Sequence, residues 1–326
     1  MTTQEFNMNK RILIIGGFGF LGRNLYLHLK KIGYENINIF SNVQLSFDDP
    51  LRKEFSHKLY SGSINNKQLI DWVIESHDII FSFAGLSGAA NSISTPYEDV
   101  HINLEGHLNI LEACRKKKTE TKIIFPSTRL VYGKPRSNPV SEDHPVTPQS
   151  IYAIHKNTVE HYQQLYSDLY GIRTVTFRIS NPYGFSYNPL GFHYSVLNQF
   201  VMKAILSKSI SIYGDGNQMR DYIYIDDLSR LFEMAIHNEN MDGHIFNIGS
   251  GKGISIIDAV RIIKKYVPDM KYELTNWPEL EHNIETGDYV SDLTKIKKIA
   301  GWKPEVDIET GIQLTLKAYQ KLMHGN

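Results

Sequence analysis

Residues 11–33, RILIIGGFGFLGRNLYLHLKKIG, admit few backbone arrangements. A short aliphatic run closed by glycine reads as a strand buried on both faces. Leu21, Leu25, Leu29 and Ile32 then recur at helical spacing, and Gly33 supplies a stop. Between strand and helix lie Gly16, Gly19 and Gly22. The first permits a tight turn, the second lets backbone approach a pyrophosphate, and the third allows close helix packing. The helix N-terminus then faces the negative charge. A glycine pattern alone is a weak signal, but strand, turn and helix in this order favour dinucleotide binding over a bare turn.

The same alternation continues down the chain. NINIF, HDIIFSFAG, TKIIFPST, GIRTVTFRIS and HIFNIGS read as strands, and residues 65–76, 98–117 and 152–170 as amphipathic helices. This predicts an α/β fold with a Rossmann-type doubly wound sheet, parallel at least through its first half. After Asn181 prolines, glycines and aromatics cluster and the elements shorten, which predicts a smaller, discontinuous C-terminal cap over the carboxyl edge of the sheet. The expected division is a dinucleotide-binding domain at 1–180 with a returning segment near 222–248, and a substrate-binding domain from 181–221 and 249–326. With 326 residues, 41% of them hydrophobic, the chain can bury cores for both.

Composition narrows the partners. Lys+Arg and Asp+Glu both total 35, which gives no support for nucleic acid or a membrane surface. The densest basic run, Arg115 to Lys118, closes a helix, where cations complement the carbonyl end of the dipole. Cys114 is the only cysteine, so no intrachain disulfide forms, and its apolar neighbours make it a core residue. Thirteen histidines show no metal-ligand spacing, so no metal site is expected. The N-terminus has no apolar signal core and ILIIGG is too short to span a bilayer, so a cytoplasmic protein is expected.

Two sites remain open on residue chemistry alone. The end of the second strand, where an acidic residue holds the adenosine ribose in many dinucleotide folds, reads Ser41-Asn42. Neither repels nor attracts a 2′-phosphate, and NAD is expected over NADP. In SIYAIHK, Tyr152 and Lys156 share one helix face. A phenol ionises near pH 10 and a neighbouring ammonium eases that ionisation, yet the pair alone also fits an ordinary solvated helix.

Taken in order, the motifs resemble the extended short-chain dehydrogenase/reductases that remodel nucleotide sugars, in the style of UDP-galactose 4-epimerases. The glycine loop fits, as do FSFAGLSGAANS (81–92), HINLEGHLNILEACR with Asn103, PSTRLVYG with Thr128, YAIHK, RISNPYG with Asn181, and GDGNQMRDYIYIDDL with Arg220. FNIGSG and GWKP match the closing segments.

The resemblance implies that Thr128, Tyr152 and Lys156 are catalytic. It implies NAD contacts from Gly16, Gly19, Phe20, Leu21, Gly22, Ser41, Asn42, Ser63, Ile64, Phe83, Ala84, Gly85, Ser87 and Asn103, with Tyr152 and Lys156. It implies substrate contacts from Ser87, Thr128, Arg129, Asn181 and Arg220. The expected reaction is NAD-dependent oxidation of the C4 hydroxyl of a UDP- or GDP-linked hexose or heptose, completed as 4-epimerisation or net 4-dehydrogenation in bacterial polysaccharide precursor synthesis. The alternatives are an NADPH-dependent keto-sugar reductase and a non-catalytic NAD(P) sensor.

Three departures matter. Arg129 and Leu130 follow Thr128 where related 4,6-dehydratases carry an acidic pair, Ser63 stands where relatives show an adenine-contacting aspartate, and Glu285 stands where many have an arginine for the diphosphate. Finally, Tyr162, Tyr166 and Tyr170 recur every four residues, a stripe that either packs on the chain's own sheet or lies in an interface. Related enzymes often pair this helix with the preceding one, and a homodimer is expected.

Overall fold

The computed structural model describes residues 8–45, 49, 51–52, 54–117, 121–187 and 195–324. Strands in the first half are β1 (Ile12–Ile15), β2 (Ile37–Ser41), β3 (Leu59–Ser61), β4 (Ile79–Ser82), β5 (Lys122–Thr128) and β6 (Arg173–Ile179). They are followed by β7 (Asn181–Tyr183), β8 (Ile210–Tyr213), β9 (Met219–Tyr224), β10 (His244–Ile248), β11 (Gly253–Ser255) and β12 (Tyr272–Thr275). The helices that frame the site are α1 (Phe20–Lys31), α2 (Lys67–Glu75), α3 (Ala89–Ser94), α4 (Pro96–Asp99), α5 (Gly106–Lys117) and α6 (Ile151–Tyr170).

Seven strands form one sheet in the order β10-β6-β5-β4-β1-β2-β3, and every pairing is parallel. The reason lies in β1, whose four residues are all buried. Ile12 and Ile14 join the core on one face, with Leu25, Phe81 and Phe232, while Leu13 and Ile15 join the other, with Ile70, Ile80 and Ile110. Side chains alternate across a strand, so a strand covered on both faces must be apolar throughout. Each fully buried aliphatic side chain contributes about 1.5–3 kcal/mol before entropy is counted.

Two features differ from the sequence reading. β3 (LYS) was not predicted: it is a three-residue edge strand with Leu59 36% exposed, so its pairing with β2 leaves no hydrophobic run to read. The stretch 98–117 is not one regular helix. A π-helical segment, Val100–Glu105, joins α4 to α5 and turns Asn103 fully inward.

Two expectations about α5 hold. Cys114 is buried in the core, and burial pushes its thiol up to about 12. Arg115, Lys116 and Lys117 close α5, bonded to Glu112, Asp71 and the His77 carbonyl respectively; Lys118 lies outside the described residues. Among the described residues no helix is long and apolar enough to cross a membrane.

Beyond Ile179 the chain builds a second, three-stranded sheet, β11-β9-β7, and a parallel β8/β12 pair, while β10 returns to the main sheet beside β6. Asp221, fully buried on β9, accepts hydrogen bonds from the N–H groups of Ser250, Ser291 and Gly251 at 2.6, 3.0 and 3.3 Å. One carboxylate thus fastens two loops above the sheet.

The helix α6 starts where Ser150 accepts from the Ala153 N–H at 3.2 Å and stops at Gly171 in the left-handed conformation. It is tied to the sheet by a buried ion pair. Arg178 on β6 donates to both Glu160 oxygens, 3.1 Å from Nε and 2.7 Å from Nη2 to Oε2, and to the Tyr132 hydroxyl at 2.9 Å. Ser127 donates to the same carboxylate. Glu160→Ala would leave the guanidinium buried without its carboxylate. The expected loss is about 3–5 kcal/mol of stability, read as a lower urea midpoint.

Candidate active site

The glycine loop sits where strand order reverses, with β1 between β2 and β4. Gly16 has φ +83°, and a Cβ there would stand 2.6 Å from the Ala84 nitrogen. A Cβ on Gly22 would stand 2.5 Å from the Gly16 carbonyl oxygen. Gly19 precedes α1 without a side-chain cap, and the first turn carries no acidic residue, so its N–H groups suit an anion. Phe20 and Leu21 form that first turn, both half-buried. This cradle fits a dinucleotide pyrophosphate.

Residues expected on the adenosine side lie at the ends of β2 and β3. Ser41 is buried and its hydroxyl accepts from the Val43 N–H at 3.0 Å, whereas Asn42 is exposed. The Ser63 hydroxyl accepts from Asn65 N–H at 3.2 Å, and Ile64 is buried in the core. Their side chains shape turns.

The catalytic candidates come together from β5 and α6. The Thr128 hydroxyl accepts from the Leu130 N–H at 3.2 Å and acts on the Tyr152 phenol, favouring its ionised form. Tyr152 is held from behind, its N–H donating to Ser92 Oγ at 3.0 Å. Lys156, buried one turn later, donates to the Pro126 carbonyl at 2.9 Å and lies 5.9 Å from the Tyr152 ring centre. Burial pulls its ammonium down to about 8, opposed by Asp99 and Glu160.

Sequence reasoning expected the lysine to lower the tyrosine. In the folded chain burial dominates: the phenol moves up, Asp99 adds to the rise, and Thr128 rather than Lys156 acts in the other direction.

Asn103 closes this corner, accepting from the Leu86 N–H at 3.0 Å and donating to Asp99 at 2.9 Å. A Cβ on Gly85 would stand 2.7 Å from Asn103 Oδ1 and 3.9 Å from Lys156 Nζ, so only glycine keeps this approach open. Phe83 packs edge-on against Phe81 in the core, and Ser87 lines a cavity of about 240 Å³ with Leu86, Ser92 and Asp99.

Three site residues were missed. Asp99, buried, accepts from His155 Nδ1 at 2.6 Å as well as from Asn103. His107 donates from Nε2 to the Ala84 carbonyl at 3.0 Å, so its Nδ1 accepts from the Ser82 hydroxyl at 2.9 Å. Burial, with Lys156 adding, lowers it to about 3 and keeps it neutral. The signal was the spacing of four from Asp99 to Asn103 to His107 along one stretch.

The substrate-side residues gather apart from these. Asn181 donates to the Asp221 carbonyl at 2.9 Å, and Arg220 pairs with Glu285 at 2.7 Å and bonds the Gly287 carbonyl at 3.1 Å. Arg129 crosses to the same loop and donates to the Thr286 hydroxyl at 2.8 Å. Among the described residues no group of three or more His, Cys, Asp or Glu could hold a metal ion.

A doubly wound sheet with a pyrophosphate cradle and a Thr–Tyr–Lys constellation defines a dinucleotide-dependent enzyme. The model of the NAD dependent epimerase/dehydratase family matches residues 12–249. A candidate UDP-glucose 4-epimerase of Methanocaldococcus jannaschii is 33% identical over 304 residues, covering 93% of this chain and 96% of the relative. The UDP-glucuronate 4-epimerase of Thermodesulfobacterium geofontis is 30% identical over 316 residues, covering 93% and 94%. The crystal structure of UDP-glucose 4-epimerase from Thermotoga maritima, with UDP-glucose, superposes with a TM-score of 0.86 at 28% identity, covering 96% and 99%. The chain belongs to the NAD-dependent epimerase/dehydratase family, and it is an enzyme whose cofactor is NAD.

The Lys156 charge opposes folding. Its folded pKa is about 8 against an ordinary 10.5, so the penalty is complete below pH 8 and fades as pH rises towards 10.5. Lys156→Met is expected to lose turnover about 100- to 10,000-fold. At pH 7 it is expected to melt no lower than the parent, with the difference moving in the parent's favour by pH 10. Melting curves at both values check this.

Proposed function

We propose that the enzyme oxidises the C4 hydroxyl of a nucleotide-linked hexose or heptose to a 4-keto sugar and completes the cycle by C4 epimerisation. The observation that carries this reading is Lys156, buried one turn from Tyr152 on α6 and 5.9 Å from its ring centre, with Thr128 acting on the same phenol from the end of β5. Thr128 aligns the sugar hydroxyl, and Tyr152 accepts its proton. Lys156, fixed on the Pro126 carbonyl, supplies positive charge behind the phenol. Bound NAD supplies the hydride acceptor. The residues named on the loop, on 83–87 and at Asn103 hold that cofactor, and Asn181 and Arg220 hold the nucleotide sugar.

Similarity to enzymes named as UDP-sugar 4-epimerases supports UDP as the nucleotide. Arg129 and Leu130 after Thr128 supply neither acid nor base for water elimination, which favours epimerisation over dehydration. In domain terms, 181–221 and 249–326 form the substrate-binding part over the dinucleotide-binding part at 1–180 with its returning segment near 222–248.

We further infer a homodimer. Two members of the tyrosine stripe, Tyr162 and Tyr166, pack on the chain's own core, Tyr166 donating to Glu112 at 2.5 Å. The exposed apolar residues of α6 are instead Ile154, Leu165, Leu169 and Tyr170, the last in edge contact with Tyr166. An unpartnered apolar face of this kind suits a two-fold helix pairing. Light scattering at micromolar concentration should give twice the mass of one chain.

Tyr152→Phe tests the chemistry. Turnover of UDP-glucose or UDP-glucuronate should fall about 100- to 10,000-fold while bound NAD, measured after heat release, stays at the parent level. Near-parent turnover would remove Tyr152 from the mechanism, and product chromatography separates epimer from ketone.

A further inference from the structure

Arg129 has no place in the proton transfer, yet its position is defined by it. It follows Thr128 directly, in a 3-10 turn whose first hydrogen bond is made by the Thr128 hydroxyl. Its side chain leaves the sheet and reaches the 285–289 loop, where it donates to Thr286 and lies 5.3 Å from the Tyr289 ring centre. Tyr289 is itself fully buried and stacked on Tyr132, which makes the platform rigid.

The charges around Arg129 do not balance. It is 6% exposed, and among the described residues its guanidinium donates to one acceptor, the Thr286 hydroxyl. Glu285, the carboxylate that acts on it, already accepts through Oε1 from Arg220 at 2.7 Å and from the Gly287 N–H at 2.8 Å. Two guanidiniums therefore share one carboxylate. Burial and the Arg220 charge pull Arg129 down to about 10, which leaves it cationic at neutral pH. Two buried cations facing one carboxylate carry an excess of positive charge, and a ligand oxyanion would relieve it.

We propose that Arg129 is a substrate-binding residue that, beside Arg220, takes an oxyanion of the nucleotide sugar. This rests on the nucleotide-sugar reading above. Two groups offer that chemistry, the diphosphate and a carboxylate on the sugar. A guanidinium matches either through two parallel hydrogen bonds. The Glu285 carboxylate holds Arg220 in place, and Arg129 brings a second cation to the same loop from the turn after β5.

Titration calorimetry on the NAD-loaded enzyme with UDP, UDP-glucose and UDP-glucuronate tests the assignment. Arg129→Gln keeps a donor for Thr286 and removes the charge. The dissociation constant should rise about 10- to 100-fold, the range for a lost charged hydrogen bond. An equal rise for all three ligands assigns Arg129 to the diphosphate, and a rise confined to UDP-glucuronate assigns it to the carboxylate. Unchanged constants with a lowered melting temperature would make Arg129 a structural strut and overturn the proposal. If the glutamine variant does not fold, Arg129→Lys, which retains the charge, should bind the ligands with changed affinity as the bidentate contact is lost; parent-like constants there overturn it equally. A parent enzyme that binds neither these ligands nor dTDP, CDP or GDP would instead refute the nucleotide-sugar reading.

Discussion

Glu160 sits one turn beyond Lys156 on α6 and meets Arg178 from β6 and Ser127 from β5 in the interior. Ser127 adjoins Thr128, so one buried carboxylate fixes both the strand that carries the hydroxyl and the helix that carries the phenol and the ammonium. The network extends from Arg178 to the Tyr132 hydroxyl, and from there to Asn247 on β10 at 2.7 Å. Buried polar groups are tolerable when they satisfy one another, and a satisfied network specifies one arrangement where an apolar core would accept several.

A second constraint reaches the site from the π-helical turn. Asp99 and Asn103 lie four residues apart, and the wider turn brings both inward beside His155 and the Gly85 backbone. Asp99 raises the Tyr152 phenol and supports the protonated form of Lys156. The same carboxylate therefore opposes formation of the base and favours its neighbouring cation. Burial of the phenol, the largest influence, acts in the same direction as the first of these.

Much of this architecture was legible because its signals are local. β1, the glycine loop and α1 were readable as a unit, since double burial demands an apolar strand and the turn demands glycine. Tyr152, Lys156 and Thr128 were readable as motif residues. β3 was not, because an exposed three-residue edge strand has no pattern apart from the neighbour it pairs with. The tyrosine stripe was readable as a stripe, but which side of α6 the core would cover was not. Tyr162 and Tyr166 proved to face inward because α5 packs beside them.

The sequence by itself determined the alternation of strand and helix, the pyrophosphate turn and the order of the catalytic residues. Each follows from steric or hydrophobic demands met within one stretch of chain. Only the tertiary structure decided the company those residues keep. Asp99 and His155 are 56 positions apart, Arg129 and Thr286 are 157, and Arg220 and Glu285 are 65. Electrostatic energy depends on separation in space and on the water excluded between charges. That is why the rise of the Tyr152 phenol, the fall of the Lys156 ammonium and the fall of the Arg129 guanidinium appear only once the chain has folded.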